Sequence, residues 1–267
     1  MTNFIYYVYL IFLFFINLLN KFNFVNSYNL PIKPWYAKNH DVKIIEPVKI
    51  KEDSTLYQPV KDIIFLSGGA NVMPNELYSN FLNNMASSNF RIYLTDFTNI
   101  EDYEEVIKLI ESNDITIVLH SSSTKLALDL SNKYEKIKKI VMMDPVDNRF
   151  TAKDIFCNIM NIPNRLNVDI DDVLIINAKK SYTGSWNPPT IPFIPILSFN
   201  KNNLILENNK TVETITFDDN GHTDLLDKPW GDIMHKSRIT VGTENRNYTD
   251  INNYHQQIVK IIVKFCS

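Results

Sequence analysis

Three residue types that together perform acyl transfer stand in order along this chain, each just past a short apolar run. Ser121 follows Ile115-Thr-Ile-Val-Leu119 and His120. Asp144 follows Lys139-Ile-Val-Met-Met143. His222 follows Thr214-Ile-Thr-Phe217 and a polar turn ending at Gly221. A serine hydroxyl is a weak nucleophile until an imidazole takes its proton, and a carboxylate orients that imidazole and stabilises its charged form. A carbonyl attacked by such a serine gathers negative charge on oxygen, which two backbone N–H groups would have to meet. Ser122, the residue after the nucleophile, offers one. The turn at Gly68 and Gly69, directly behind the run Asp62-Ile-Ile-Phe-Leu66, offers the other. The same glycines also suit a plain turn.

For these side chains to converge, the runs before them must be strands ending on one edge of a sheet. In open α/β sheets, ligands bind beyond the carboxyl ends of the strands. The periodicity predicts strands over 42–50, 62–66, 90–97, 115–119, 139–143, 172–177 and 214–217. It predicts helices over 75–87 and 101–112, from about Ser123 or Thr124 onward, and over 252–265. Such alternation implies an α/β fold with a mostly parallel central sheet and helices on both faces. The chain order Ser, Asp, His is that of the α/β-hydrolase fold. The 23 residues from Ser121 to Asp144 leave room for one helix and one strand. The run 172–177 ends in Asn177-Ala178-Lys179-Lys180 and offers no carboxylate, so the acid falls to Asp144, with Asp147 as the alternative. Both aspartates equally suit a helix cap or a turn.

Met143-Asp144-Pro145-Val146-Asp147-Asn148, Gly221-His222-Thr223-Asp224-Leu225-Leu226-Asp227 and the shorter segments at residues 65–68 and 120–124 together resemble segments of plant chlorophyllases, relatives of the plasma-type platelet-activating-factor acetylhydrolases. His120-Ser121-Ser122-Ser123-Thr124 resembles their Gly-His-Ser-Arg-Gly-Gly elbow. Met143-Asp144-Pro145-Val146-Asp147-Asn148 resembles Ile-Asp-Pro-Val-Asp-Gly, and Gly221-His222-Thr223-Asp224-Leu225-Leu226-Asp227 resembles Gly-His-Met-Asp-Leu-Leu-Asp. Phe65-Leu66-Ser67-Gly68 resembles Phe-Leu-His-Gly. The matches fall in order over about residues 42–265. The resemblance implies Ser121 as nucleophile, Asp144 as acid and His222 as base. It also implies a serine esterase for a carboxylic ester with a hydrophobic moiety, chlorophyll being the specific option.

The elbow departs from that pattern. Leu119 replaces its first glycine, and Ser123 and Thr124 replace its last two. Small neighbours let strand and helix pass closely at a strained turn, so Leu119 is expected to crowd it and Thr124 to widen it. Ser67 replaces the histidine of the other turn and is expected to shift the oxyanion donors. Two readings follow: an active enzyme with an adjusted elbow, or a binding protein on the same fold that has lost efficient catalysis. A shifted register with Ser122 or Ser123 as nucleophile is a third arrangement.

Residues 182–199 carry four prolines with Trp186 and Phe193, a composition that discourages helix and strand. A loop there would overhang the active edge and could hold the apolar part of an ester, with Trp230 lining the same pocket. Packing of that loop against the domain is the alternative. The histidines show no metal-ligand spacing, Asp169, Asp171 and Asp172 lack the pattern of a calcium loop, and no nucleotide fingerprint occurs, so no cofactor is expected. A net charge of −3 without a basic stripe argues against nucleic acid as partner.

Phe4 to Leu19 is a 16-residue apolar run, short of the roughly 20 residues a membrane span needs. It reads as the core of a signal peptide cleaved after Ser27, followed by a lead-in over 28–41 and a single domain over 42–267. An uncleaved anchor at a membrane or lipid surface, and plastid targeting, are the alternatives to a secreted protein. Cys157 and Cys266 could pair or remain two buried thiols, and Asn209 and Asn247 head glycan acceptor patterns.

Overall fold

Aliphatic and β-branched runs suit a pleated surface covered on both faces, and such runs build the centre of this molecule. The computed structural model describes residues 42–48, 60–71, 73–145, 164–167, 170, 172–183, 204–207, 211–236, 243 and 247–267. Its strands are β1 (Lys43–Ile45), β2 (Lys61–Leu66), β3 (Phe90–Leu94), β4 (Ile115–His120), β5 (Ile137–Met143), β6 (Asn164–Asn167), β7 (Asp172–Ala178), β8 (Leu204–Glu207) and β9 (Thr211–Phe217). Its helices are α1 (Gly68–Asn71), α2 (Ser79–Ala86), α3 (Tyr103–Leu109), α4 (Thr124–Lys133), α5 (Lys180–Thr183), α6 (Lys228–Lys236) and α7 (Tyr248–Cys266).

Seven strands form one sheet in the order β1-β3-β2-β4-β5-β7-β9. β1 runs antiparallel to β3, and every other pairing is parallel. Successive side chains of a strand point to opposite faces, and the two faces carry separate cores. Ile63, Phe65, Val118, Val141, Met143, Leu174 and Ile176 pack on one face with residues of α2 and α7. Ile64, Leu66, Ile117, Leu119, Ile140, Met142 and Val173 pack on the other with residues of α3 and α4. Burial of each such side chain contributes about 1.5–3 kcal/mol, so a one-residue slip that exchanged the faces would be costly. This is the α/β-hydrolase fold, with helices on both faces.

The chain leaves β2 outward to β3, then returns across β2 to β4 and continues outward through β5, β7 and β9. The reversal places a topological switch between β2 and β4, where open α/β sheets bind ligands.

The expected elements form, with shifted limits. β1 is three residues long rather than nine, and β3 ends at Leu94. The helix expected over 75–87 begins as a 3-10 turn, Asn75–Tyr78, behind Pro74 before becoming α2. α7 begins earlier than the apolar pattern does, because the Asn247 side chain accepts the Asp250 N–H at 2.8 Å and caps it. The small parallel pair β6–β8 and helix α6 were not anticipated. The N-terminal apolar run and its cleavage point, the lead-in over 28–41, Asp147, Cys157, Asp169, Asp171, Asn209, Trp186 and Phe193 lie outside the described residues. Among the described residues no helix is long and apolar enough to cross a membrane.

Candidate active site

β4 ends at His120, and the chain turns through Ser121–Ser123 into α4. Ser121 makes that turn with φ 60°, a left-handed backbone that costs a residue with a Cβ about 1–3 kcal/mol. Neighbouring bonds hold it there. Thr124 Oγ1 donates to the Ser121 carbonyl at 3.2 Å, and Ser123 Oγ donates to the Ser67 carbonyl at 2.5 Å, tying the elbow to the end of β2. The crowding expected from Leu119 does not arise. Strand alternation sends its side chain into the core beside α3 and α4, where it is fully buried.

Asp144 leaves β5 with φ 47°. Its N–H donates to the Ile176 carbonyl at 2.6 Å. Its Oδ1 accepts the Ala178 N–H at 2.8 Å, and its Oδ2 accepts Ser181 Oγ–H at 2.9 Å. The end of β7 thus supplies no carboxylate but grips the one from β5. Neither Ala178 nor Ser181 was singled out from the sequence. A buried carboxylate needs donors, and a strand end without an acid beside a strand end with one is the signal that points to them.

His222 opens a 3-10 turn, His222–Leu225, after β9. Its Nδ1 lies 2.5 Å from Asp144 Oδ2 and its Nε2 lies 2.9 Å from Ser121 Oγ. An ionised carboxylate can only accept, so Nδ1 carries the proton and Nε2 accepts from the serine hydroxyl. Ser121, Asp144 and His222, which sequence placed at three strand ends, are therefore one hydrogen-bonded chain. It is screened from water yet reachable, with Ser121 7% and His222 9% exposed. The imidazole meets the Ser121 hydroxyl, and the Ser123 hydroxyl is engaged with the Ser67 carbonyl.

Asp224 holds the His222 turn. Its carboxylate accepts the N–H groups of Gly221 at 2.8 Å and Thr243 at 3.0 Å, and the Thr243 hydroxyl. Its carbonyl accepts from Nε2 of the buried His255 on α7 at 3.0 Å, and His255 Nδ1 accepts from Asn80 Nδ2 at 2.9 Å. Asp227, at the end of the same segment, accepts the Asn80 N–H at 3.0 Å. The resemblance covered the Asp224 and Asp227 positions but gave no role to either, and His255 carried no sequence signal.

The turn behind β2 reaches the same place. The Gly68 N–H donates to Tyr78 Oη at 3.0 Å, which commits it away from a substrate oxygen. Gly69 has φ 67°, a conformation open to glycine at little cost. Ser67, where the resembled family has histidine, donates its hydroxyl to the Met73 carbonyl at 2.6 Å, a bond within the turn. Trp230 is half-buried on α6 and packs against the core beside α2 and α7. Cys266 is a buried free thiol, 3.6 Å from Thr116 Oγ1, and burial raises its pKa above the ordinary thiol value. Among the described residues no group of three or more His, Cys, Asp or Glu is arranged to hold a metal ion.

No protein-family model matches the chain, and no curated protein matches it significantly. Solved structures similar to it include a ferulic acid esterase from Streptomyces cinnamoneus and an esterase domain from a Rhodothermus marinus protein. The first is 11% identical with a TM-score of 0.46, over 78% of this chain and 67% of the other. The second is 10% identical with a TM-score of 0.43, over 84% of this chain and 92% of the other.

Proposed function

We propose that this protein is a serine carboxylic-ester hydrolase. The observation that carries the proposal is the relay Ser121 Oγ, His222 and Asp144, with Ser121 on a left-handed strand-to-helix turn. In this reading His222 Nε2 takes the serine proton as Oγ attacks the ester carbonyl carbon. The oxyanion is met by the backbone N–H groups of Ser122 and Gly69, Gly68 being committed to Tyr78. The tetrahedral intermediate then collapses, and the alcohol leaves with the proton from His222. Water, deprotonated by the same imidazole, releases the acid from the acyl-serine. Asp144 keeps the imidazole in the required tautomer throughout.

The substrate is an ester with a hydrophobic moiety. The resemblance to chlorophyllases makes the phytyl ester of chlorophyll, cleaved to chlorophyllide and phytol, the specific candidate. Trp186, Phe193 and Trp230 are assigned to its apolar part. The N-terminal run is assigned to secretory targeting, with a lipid surface or a plastid as the alternative destination. N-terminal sequencing of the expressed protein decides between cleavage after Ser27 and an anchor.

The decisive experiment measures hydrolysis of short and medium p-nitrophenyl esters by the full chain and by Ser121→Ala. The expected outcome is activity in the parent and a loss of at least about a thousandfold in the variant, with a fluorophosphonate probe labelling Ser121 in the parent alone. A folded parent that turns over no ester and resists the probe overturns the proposal in favour of a binding protein.

A further inference from the structure

Tyr78 is fully buried at the end of the 3-10 turn Asn75–Tyr78, and its hydroxyl stands between two parts of the site. Oη accepts the Gly68 N–H at 3.0 Å and lies 2.8 Å from His120 Nδ1. Met73 Sδ, a weak acceptor, is 4.0 Å away. The hydroxyl has one proton. The pair admits two arrangements, Oη–H donating to His120 Nδ1 or Nδ1–H donating to Oη; a bare imidazole nitrogen is a far stronger acceptor for the phenol proton than the Met73 thioether, which favours the first. Burial raises the phenol above the ordinary tyrosine range, so the proton stays in place. The His120 ring in turn lies against that of His222, with centroids 4.5 Å apart and planes inclined by 30°.

We infer that Tyr78 is a positioning residue of this site, whose hydroxyl anchors the Gly68-Gly69 turn on one side and holds His120 neutral, protonated on Nε2, against His222 on the other. The inference rests on Ser121 and His222 being nucleophile and base. In that chemistry His222 becomes a cation when it takes the serine proton. A second cation stacked on it would oppose that step, whereas a neutral aromatic face favours it. Packing couples the two ends of the clamp. A Cβ on Gly68 would come 2.9 Å from Met73 Sδ, 3.0 Å from Tyr78 Oη and 3.3 Å from His120 Nδ1, so the turn approaches the clamp as closely as it does only because this residue has no side chain.

The test combines imidazole ¹⁵N NMR of the full chain with kinetics on p-nitrophenyl butyrate, for the parent, Tyr78→Phe, His120→Asn and His120→Leu. In the parent, His120 Nδ1 is expected to show the signature of an unprotonated, hydrogen-bonded acceptor. In Tyr78→Phe, the ¹⁵N spectrum is expected to show His120 as a mixture of its two neutral tautomers, because the hydroxyl that selects one of them is gone. The same variant should lose about ten- to a hundredfold in kcat with KM within about twofold. His120→Asn presents Oδ1 to the Tyr78 hydroxyl in place of Nδ1 and should retain most of the activity that His120→Leu loses. A parent His120 that carries its proton on Nδ1, or a folded Tyr78→Phe with unchanged kcat, overturns the inference. If Tyr78→Phe does not fold, the parent spectrum and the two His120 variants decide. If the parent turns over no ester, the esterase reading fails by itself, and the spectra still uphold or overturn the clamp.

Discussion

His222 and His255 are both buried, and a single residue, Thr223, separates the first from the residue whose carbonyl the second holds. Each uses both ring nitrogens. Their partners differ in kind. His222 lies between a carboxylate and a hydroxyl, groups that can stabilise a charge or surrender a proton. His255 lies between the Asn80 side-chain amide and the Asp224 carbonyl, which do neither. The serines of the elbow repeat the contrast. Ser121 Oγ meets an imidazole, and Ser123 Oγ meets the Ser67 carbonyl. Residue type alone cannot separate a chemical role from a structural one here; the partner does.

The largest effect expected to test this contrast is in His222→Ala. Loss of the base should lower kcat by about ten-thousandfold or more while the melting temperature changes little. Asp144→Asn should follow. The amide can donate to His222 Nδ1, which leaves the proton on Nε2, unable to receive one from Ser121. A fall of about ten-thousandfold in kcat with KM nearly unchanged is the expected result. A smaller loss would mean that another carboxylate, Asp147 being the candidate, orients the imidazole.

His255→Ala should behave in the opposite way. It empties a fully buried site and leaves the Asp224 carbonyl and the Asn80 amide without that partner, at a cost of about 2–5 kcal/mol in unfolding free energy. Below its lowered melting temperature the variant should keep kcat within about tenfold of the parent. Urea denaturation and steady-state kinetics on the same preparation check both halves. A folded His255→Ala with kcat as low as His222→Ala would erase the distinction.

The sheet, its mostly parallel character and the strand-end positions of Ser121, Asp144 and His222 were legible because apolar runs and the polar residues behind them are local signals. What was not legible is non-local. Asn177-Ala178-Lys179-Lys180-Ser181 shows by itself only that it lacks an acid; that its backbone and hydroxyl grip a carboxylate 34 and 37 residues earlier emerges only once the two strand ends are set side by side. Nor does the α7 pattern mark His255 as the support of a turn 31 residues before it. Leu119 misled for a related reason. Its size suggested a clash at the elbow, but the pleat decides which face a side chain occupies, and His120 rather than Leu119 points toward the His222 ring. α6 was missed because Pro229 and Gly231 weaken its helical signal, although proline is tolerated in a first turn.

The smallest effect concerns Ser123, the structural serine of the elbow. The resembled family carries glycine at this position, so Ser123→Gly restores its pattern and tests whether the departure is damage. The hydroxyl bond from Ser123 to the Ser67 carbonyl would be lost, and the buried carbonyl would lose that donor. Glycine would also loosen the start of α4 in the unfolded chain's favour. Both effects point to a loss of about 1–2 kcal/mol in unfolding free energy. Catalysis should change little, because Ser123 Oγ does not touch His222. A Ser123→Gly variant that gains kcat several-fold would show that the serine impedes the elbow. One that loses stability while keeping kcat would show that this chain secures its nucleophile turn with a hydroxyl tether from α4 to β2 where the resembled family relies on small residues.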